Sequence, residues 1–374
     1  MRKKTRQIRV GSVKIGGTAP ISIQSMTKVP TADVKAVVSQ VSRLEKAGCE
    51  IIRFAVKSLE DARAIRDIKK KIRIPIVADI HFNYRLAIES IKSGADKIRL
   101  NPGNIKKHDE ISAVIRAAKS ARIPIRIGVN SGSVLTGEQK TKSIRRGGGS
   151  SNPSGNRIIE SLVSSAGSYI KLFESLDFHD IILSLKASDV VSTVEAYRRM
   201  SKACDYPLHL GVTAAGSADS GIVKSSIGIG ALLLDGIGDT IRVSLTADPV
   251  EEVAGAKRIL EAVGARNFGP EIISCPTCGR CQIDLGDIVR KIEHQLSAIS
   301  AVGGSADLCG GSHHSLAKNI RIAVMGCEVN GPGEAKEADV GIAFGKDSGT
   351  LFKHGKILKK VSAKNAVSEL LKLM

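Results

Sequence analysis

The sequence predicts an α/β protein, namely a (β/α)8 TIM barrel followed by a small α+β domain. Eight short β-rich runs alternate with amphipathic helical stretches over about 250 residues, which is the repeat that such a barrel requires. The segment 71–80 resembles the segment 120–129, and each contains a proline that starts a strand. Aromatic residues make up only 3% of the chain, so we expect an aliphatic core, as in parallel sheets buried on both faces.

The elements follow in regular order along the chain. The predicted strands occupy residues 20–26, 50–56, 75–80, 97–102, 124–130, 180–186, 207–213 and 239–246. The predicted helices occupy residues 32–47, 59–71, 84–93, 110–121, 157–176, 187–203 and 248–263. The number of strands is easier to read from a sequence than the closure of the sheet, so a doubly wound open sheet is the alternative. Two long, polar, Gly-rich segments, 137–156 and 301–319, are either active-site lids or tolerated insertions.

The sequence changes character after about Gly269, and we therefore predict two domains, 1–268 and 269–374. The second begins with a cysteine-rich hairpin and a helix at 285–299, and it ends with a helix from Ala363. In the first domain, glycines spaced as Gly-x-Gly occur at 228 and 230 and at 236 and 238. They do not follow a strand with the dinucleotide-binding spacing, so they predict helix packing and a turn.

The charge of the chain is strongly positive. The 56 Lys and Arg residues against 37 Asp and Glu give a net charge of +19, which attracts anions such as phosphates, nucleic acid or an acidic protein. A solvated, Lys-rich surface is the alternative interpretation. The basic segment 1–12 has no apolar run after it, and no run reaches the length of a membrane span, so we predict a cytoplasmic protein.

Polar residues cluster where the predicted barrel strands end, which is the face that carries the active site in such barrels. The candidate substrate-binding residues are Arg53, Arg99, Asn101, Arg126, Asn130, Lys186, Arg242 and Ser244. So many cations at one mouth require an anion, most simply a diphosphate, although any single Arg can instead point outward to a helix carboxylate. Asp79 and His81 are the acid/base candidates, and His209 is interpreted as a core histidine with its hydrogen bonds satisfied.

Cysteine spacing predicts a metal site in the second domain. Cys275 and Cys278 form a Cys-x-x-Cys pair, and Cys327 and Glu334 follow about fifty residues later in a Gly/Pro-rich segment. Three sulfurs and one oxygen would leave an exchangeable position, which a catalytic metal needs. Spacing alone leaves zinc and iron–sulfur equally open. A structural zinc held by Cys275, Cys278, Cys281 and Cys327 is the alternative, and the further possible ligands are Cys309, His313 and His314.

Several motifs together resemble one known family over nearly the whole chain. The motifs are PISIQSMT, RIGVNSGS, LSLKASD, LHLGVT, IGDTIRVSLT, CPTCGR and GCEVNGPGEA, in the family's order. They are similar to those of the 4-hydroxy-3-methylbut-2-enyl diphosphate synthases, iron–sulfur reductases of the non-mevalonate isoprenoid pathway. One departure is Ala214 in the stretch GVTAAG, where the family usually carries an acidic residue.

The resemblance implies a barrel followed by a [4Fe-4S] domain, with the cluster held by Cys275, Cys278, Cys327 and Glu334. It implies 2-C-methyl-D-erythritol 2,4-cyclodiphosphate as the substrate, bound by the strand-end residues, and Glu334 as a labile ligand that opens the unique iron to the substrate. It also implies a homodimer in which the cluster domain of one chain covers the barrel mouth of the other. An acidic ferredoxin or flavodoxin would supply the electrons, since the chain is basic.

Two functions from other classes remain open on the residues alone. One is a phosphate-binding barrel transferase with a structural zinc, related to pterin-binding barrels in architecture only. The other is a zinc-ribbon protein that binds nucleic acid, although the few aromatic residues argue against base stacking.

Overall fold

The chain has two compact units, Met1–Arg266 and Asn267–Met374. The computed structural model describes residues 1–101, 105, 107–131, 153–187, 189–213, 216–303, 320–327, 333 and 338–374. The unit boundary lies two residues before the predicted boundary between residues 268 and 269. Each unit has a parallel or mixed sheet of its own.

The first unit is built from a hairpin, eight parallel strands and the helices between them. The hairpin strands are β1 (Ile8–Val10) and β2 (Val13–Ile15). The parallel strands are β3 (Ser22–Met26), β4 (Ile51–Val56), β5 (Ile76–Ile80), β6 (Lys97–Leu100), β7 (Ile125–Asn130), β8 (Ile181–Lys186), β9 (His209–Leu210) and β10 (Thr240–Ile241). The helices are α1 (Val34–Ala47), α2 (Leu59–Lys69), α3 (Tyr84–Lys92), α4 (His108–Ala121), α5 (Pro153–Ser175), α6 (Val190–Ala203), α7 (Ala218–Leu234) and α8 (Pro249–Ala262).

The eight parallel strands close into a barrel. Their hydrogen-bonded order is β8-β7-β6-β5-β4-β3-β10-β9. The two ends of this order meet at a single parallel bridge between Leu183 and Leu208, where the amide of Leu183 donates to the carbonyl of Pro207 at 2.9 Å. The predicted barrel is therefore confirmed, and the open-sheet alternative is wrong.

The N-terminal hairpin packs against the amino ends of the barrel strands. Ile8, Val10 and Ile15 form one buried apolar cluster with Ile51, Val77 and Ile182. Each of the last three lies in the first two residues of its strand, so the hairpin covers the barrel floor. The prediction treated this segment only as a basic terminus. The alternation of apolar and polar residues from 8 to 15 was the available signal.

Local sequence signals start and end the helices. The side chain of Asp33 accepts a hydrogen bond from the amide of Ala36 at the start of α1, and Gly48 ends that helix at a φ of 96°. Helix α7 is missing from the predicted set because its apolar residues are not confined to one stripe. It packs through Gly228, where a Cβ atom would lie 2.8 Å from Cγ2 of Val212. The helix-packing interpretation of this glycine is therefore confirmed.

The second unit is a five-stranded sheet with helices against it. Its elements are β11 (Glu271–Ser274), α9 (Leu285–Gly303), β12 (Arg321–Met325), β13 (Val340–Phe344), β14 (Ser348–Lys353), β15 (Lys356–Ser362) and α10 (Ala366–Leu371). The strands lie in sequence order, with the first three parallel and the last two antiparallel. Their apolar side chains form one cluster with residues of α9 and α10 and a smaller one around Met325.

Among the helices of the described ranges, none combines the length and the apolar character needed to cross a bilayer.

Candidate active site

Because strand residues alternate between the two faces of the sheet, the side chains of the predicted strand-end cations point into the barrel interior. Arg99, Arg126 and Lys186 are buried, and the side chains of Arg53 and Arg242 are nearly so. None of the five points into bulk solvent. The alternative, in which such an Arg faces outward, is therefore wrong for these residues. Burial lowers the pKa of Arg53, Arg126, Lys186 and Arg242.

Asp79 is the carboxylate around which two of these cations gather. Its Oδ1 accepts a hydrogen bond from Nη1 of Arg99 at 3.1 Å, and its Oδ2 lies 3.6 Å from Nε of Arg53 and 3.6 Å from Nε2 of His81. Burial by itself raises the pKa of this carboxyl. The charges of Arg53 and Arg99 and the hydrogen bond with His81 outweigh that effect, so the pKa of Asp79 lies well below its ordinary value. Asp79 is consequently an anion in the folded protein.

Gly128 makes room for the guanidinium of Arg99. Nη2 of Arg99 donates to the carbonyl oxygen of Gly128 at 3.2 Å. A Cβ atom at position 128 would lie 2.5 Å from Nε and 2.9 Å from Nη2 of Arg99. Any side chain on β7 at this position would therefore push Arg99 away from Asp79.

A second buried carboxylate, Glu252 on α8, was not predicted. Its Oε1 lies 3.1 Å from Nζ of Lys28 and accepts a hydrogen bond from the amide of Leu245 at 3.1 Å. Its Oε2 lies 3.7 Å from Nη2 of Arg242. The signal in the sequence was weak, because a Glu in the first turn of a helix normally reads as a favourable dipole interaction.

Lys186, the last residue of β8, lies against another small residue. A Cβ atom at Gly211 would be 3.0 Å from Nζ of Lys186 and 2.7 Å from the carbonyl oxygen of Arg242. The hydroxyl of Thr213 donates to the carbonyl of Ala187 at 2.9 Å, which fixes the segment beside it. Burial, followed by the charges of neighbouring arginines, holds the pKa of Lys186 well below its ordinary value.

The barrel interior has more positive groups than negative ones. Its buried or nearly buried cationic residues are Arg53, Lys97, Arg99, Arg126, Lys186 and Arg242. Only Asp79 and Glu252, among the described residues that contact them, are carboxylates. With every group in its ordinary charged form, four positive charges remain unmatched. Such an excess is costly in a barrel interior unless an anion enters, which is the property that a site for a diphosphate needs.

The other predicted barrel residues differ in exposure. His81 follows β5 with 45% of its side chain exposed, so it can meet both Asp79 and a ligand. Asn101, which follows β6, is buried. Asn130 and Ser244 are partly exposed, at the end of β7 and after β10 respectively. All four lie at the carboxyl ends of their strands, on the same side of the barrel as the cations.

Three of the predicted metal ligands lie at one end of the second unit. Cys275 follows β11 and Cys327 follows β12, and these two strands pair in parallel, so their carboxyl ends are neighbours. The amide of Gly326 donates to Sγ of Cys275 at 3.2 Å. The pKa of Arg280 is raised by the charge of Cys278 and by its interactions with Cys327, which places both thiols beside one guanidinium.

The chemistry of this end of the sheet suits a sulfur-ligated metal group. A cavity of about 500 Å³ lies beside the segment and is lined by Cys275, Cys278 and Cys281 together with part of α9. Thiolates with an N–H···S bond are typical ligands of iron–sulfur clusters. Within the described ranges, no three or more His, Cys, Asp or Glu side chains are already arranged to hold a metal ion. The three thiols are donors of the chemical type that such a group takes, but their described positions do not form a ready-made metal site.

Cys281 differs from the other thiols of this segment. Its Sγ donates to the carbonyl of Ile283 at 3.4 Å, whereas Sγ of Cys275 accepts from the amide of Gly326; both side chains pack against the core of the unit. A Cβ atom at Gly326 would lie 2.6 Å from this sulfur. Glu334, Ala214, Cys309, His313, His314 and most of the two long Gly-rich segments lie outside the described residues.

Comparisons with known proteins assign both units. Residues 5–257 match the model of the GcpE TIM-barrel domain, and residues 271–374 match that of the GcpE protein C-terminal domain. A "4-hydroxy-3-methylbut-2-en-1-yl diphosphate synthase (flavodoxin)" of Clostridium perfringens is 50% identical over 373 residues, which cover 100% of this chain and 99% of that protein. A protein of the same name from Caldanaerobacter subterraneus is 51% identical over 372 residues, with 100% and 97% covered.

One solved structure of low sequence identity is similar to part of this chain in fold. A dihydropteroate synthase from Stenotrophomonas maltophilia superposes with a TM-score of 0.51 at 14% identity, over 71% of this chain and 100% of that one. At this identity the likeness shows the fold only. The two matched domains and the full-length relatives, taken with the barrel and the thiol-bearing sheet, show that this chain belongs to the GcpE family.

Proposed function

We propose that this chain converts 2-C-methyl-D-erythritol 2,4-cyclodiphosphate to 4-hydroxy-3-methylbut-2-enyl diphosphate by reductive ring opening and dehydration. Membership of the family and the names of its full-length relatives support this reaction. In the structure, the reaction is supported by the excess of buried cations at the strand ends. Among the described residues that contact these cations, only two are buried carboxylates. Arg and Lys side chains in such a setting bind the oxygens of a diphosphate.

We propose a [4Fe-4S] cluster held by Cys275, Cys278, Cys327 and Glu334. The three thiols support it through their common position and the adjoining cavity, whereas Glu334 is carried over from the family motif. A bound cluster would supply the two electrons of the reaction one at a time. In the relatives' names the electron donor is a flavodoxin, and we propose an acidic flavodoxin or ferredoxin for this basic chain.

The residues of the barrel have separate roles in this proposal. Arg53, Arg99, Arg126, Lys186 and Arg242 hold the diphosphate, so that the charge released on its carbon–oxygen bond cleavage stays neutralised. The further substrate-binding residues are Asn101, Asn130 and Ser244. These side chains bind the hydroxyl groups and orient the ring.

Asp79 and His81 are the acid/base pair of the proposal. Asp79 remains ionised, because the charges of two arginines hold its pKa low, so it orients cations rather than donating a proton. His81 is the group that can bring a proton to the departing hydroxyl, which leaves as water, and its Nε2 lies 3.6 Å from Oδ2 of Asp79. The overall change consumes two electrons and two protons, counted on fully protonated substrate and product.

We also propose that the protein is a homodimer. Helix α7 exposes a row of apolar side chains, Val223, Ile227 and Leu234, although monomeric proteins seldom leave such a stripe in water. A second copy of the chain is the partner that the family resemblance implies. The replacement Ile227→Asp should convert the dimer to a monomer in light scattering, whereas Leu59→Asp on α2 should not.

The deciding experiment is an anaerobic assay of the full chain after reconstitution with iron and sulfide. The cyclic diphosphate and a chemical reductant should give the linear allylic diphosphate, detected by phosphorus NMR. The variant Lys186→Met tests the barrel and Cys275→Ser tests the second unit. A purified chain that holds one zinc per monomer, takes up no iron and does not turn over the substrate would contradict the proposal and favour the structural-zinc alternative.

A further inference from the structure

Beneath the strand-end cations, the barrel interior contains a second polar layer. Lys97 is the first residue of β6, two residues before Arg99, so both side chains face inward. The residue that aligns with Lys97 on β5 is Val77, which belongs to the apolar cluster under the N-terminal hairpin. Lys97 therefore lies between the apolar floor and the mouth, at a level that barrels usually fill with branched aliphatic side chains.

Three other buried polar residues surround this level. Arg126 on β7 is 1% exposed, and its Nη1 donates to Oε1 of Gln24 on β3 at 3.0 Å. His209 on β9 is fully buried, with Nδ1 3.4 Å from the hydroxyl of Thr240. The charges of Arg126 and Lys97 both act on His209, so the four residues share one region of the interior.

Each of these residues has a buried nitrogen atom without a hydrogen-bond partner among the described residues. The atoms are Nζ of Lys97, Nε of Arg126, Nε2 of Gln24 and Nε2 of His209. Nε of Arg126 and Nε2 of Gln24 can only donate hydrogen bonds, and so can Nζ of Lys97 when this amine is protonated. Nε2 of His209 can donate in one of the two imidazole tautomers. The interpretation of His209 as fully satisfied is therefore wrong at Nε2. Four unmatched donors in one buried layer are costly unless they share an occupant that accepts.

We propose that Lys97, Arg126, Gln24 and His209 form an anion-binding site inside the barrel, and that Arg126, the most buried of the strand-end arginines, is shared between this site and the diphosphate site. The occupant presents a single anionic acceptor atom, either a halide ion or one oxygen of a phosphate group. The charge of the surroundings favours an anion over neutral water. Asp79, the nearest carboxylate that acts on this region, is already paired with Arg99 and Arg53.

Occupation of the site should bring protons into the barrel. Burial, followed by the charges of Arg126 and Arg53, holds the pKa of Lys97 well below its ordinary value. Burial, followed by Arg126, Lys186, Lys97 and Arg53, does the same for His209. An anion reverses the electrostatic part of both effects, so Lys97 and His209 take up protons when it binds. Anion affinity should consequently increase as the pH falls.

The remaining titratable groups near the layer do not replace the anion. The hydroxyl of Tyr197 donates to the carbonyl of His209 at 2.5 Å, and burial raises the pKa of this phenol, so it stays neutral. Asp79 faces the layer from β5 but is held by two arginines. Lys97 and His209 are thus the two groups whose protonation an anion can change.

The test uses crystals of the full chain soaked in sodium bromide or in sodium phosphate, with anomalous diffraction for bromine. We expect a bromide peak or a phosphate oxygen within hydrogen-bonding distance of Nζ of Lys97, and the two soaks distinguish the sources. Calorimetric titration of the same anion in two buffers of different ionisation enthalpy should show proton uptake. Density for water alone in both soaks would overturn the proposal.

The variant Lys97→Met provides the second arm. Methionine has a similar length and removes an unpaired buried amine, so the variant should fold at least as stably as the parent chain in anion-free buffer. We expect it to lose bromide affinity roughly tenfold or more and to lose most of the proton uptake. Lys171→Met, on the exposed side of α5, is the matched control and should change neither. Unchanged affinity and proton uptake in Lys97→Met would also overturn the assignment.

Discussion

Nη1 of Arg126 donates to Oε1 of Gln24 at 3.0 Å, and this hydrogen bond joins β7 to β3 on the opposite wall of the barrel. The two strands are four positions apart in the closed order of eight, so the arginine spans the interior. Its burial is possible because Gln24, also buried, supplies an acceptor at the far side.

The replacement Gln24→Met should therefore destabilise the protein. It leaves a guanidinium hydrogen buried without its acceptor, which costs roughly 1–3 kcal/mol. Urea denaturation of the variant should show a lower midpoint with an unchanged slope. Gln7→Met, at an exposed position before β1, should alter the free energy of unfolding by less than about 0.5 kcal/mol. Equal stability of the two variants would mean that the bond across the barrel contributes nothing.

Asp79→Asn should lower the stability of the protein by about 3 kcal/mol at neutral pH, because it leaves Arg53 and Arg99 without their buried counter-ion. The pKa of Asp79 is lower in the folded state than in the unfolded state. The contribution of ionised Asp79 to the free energy of unfolding is thus fully present at a pH well above its unfolded-state pKa of about 3.9. This contribution declines as the pH falls below that value.

The stability difference between the parent chain and Asp79→Asn should consequently narrow in acid. Denaturation curves between about pH 3 and pH 7 would measure it. Asp177→Asn removes an exposed partner of Lys119 and serves as the control, with little effect on stability because water screens an exposed ion pair. A difference that widens as the pH falls would contradict the assigned direction of the pKa.

Gly128→Ala should reduce catalysis without unfolding the chain. The added methyl group would lie 2.5 Å from Nε of Arg99, so the guanidinium must move away from Asp79 and from the proposed diphosphate site. We expect kcat/KM to fall about tenfold or more, as for the loss of one charged hydrogen bond. Gly167→Ala on α5 meets no atom within 4 Å and should leave the kinetics unchanged while adding about 0.5–1 kcal/mol of stability.

Lys186→Met should weaken binding of the diphosphate. Because Lys186 is buried and surrounded by arginines, its charged form is favoured only when an anion is present. We expect KM to rise by about 10–100-fold, and product inhibition to weaken in parallel. Steady-state kinetics of this variant beside Lys171→Met would separate a site effect from a general loss of positive charge. An unchanged KM would remove Lys186 from the proposed substrate site.

Cys275→Ser and Cys281→Ser should separate the two proposals for the metal. The cluster proposal uses Cys275, whose Sγ accepts a hydrogen bond, whereas Sγ of Cys281 donates to the carbonyl of Ile283. Only Cys275→Ser should lose the brown colour and the iron content after anaerobic reconstitution. If Cys281→Ser loses its metal as completely, the structural-zinc arrangement with four cysteines would gain support.

The sequence predicted the barrel because its signals are local. The strands lie in apolar runs, and the predicted helices show an apolar stripe or a cap, as the capping box of Ser58 and Asp61 illustrates; α7 has neither signal and was missed. It did not predict the hairpin at Ile8–Val10 as a floor, since its packing against Ile182 joins residues more than 170 positions apart. Closure also depended on a distant bridge, Leu183 to Leu208.

The residue types, their order and their spacing determined the family, the cationic strand ends and the thiols of the second unit. They could not determine which charges lie together. Glu252 on a helix and Lys97 at the start of a strand have ordinary sequence surroundings, yet both are buried among the arginines. Only the tertiary structure decided this, because burial and the distance between charges set their energies, and both follow from strands that meet in space rather than in sequence.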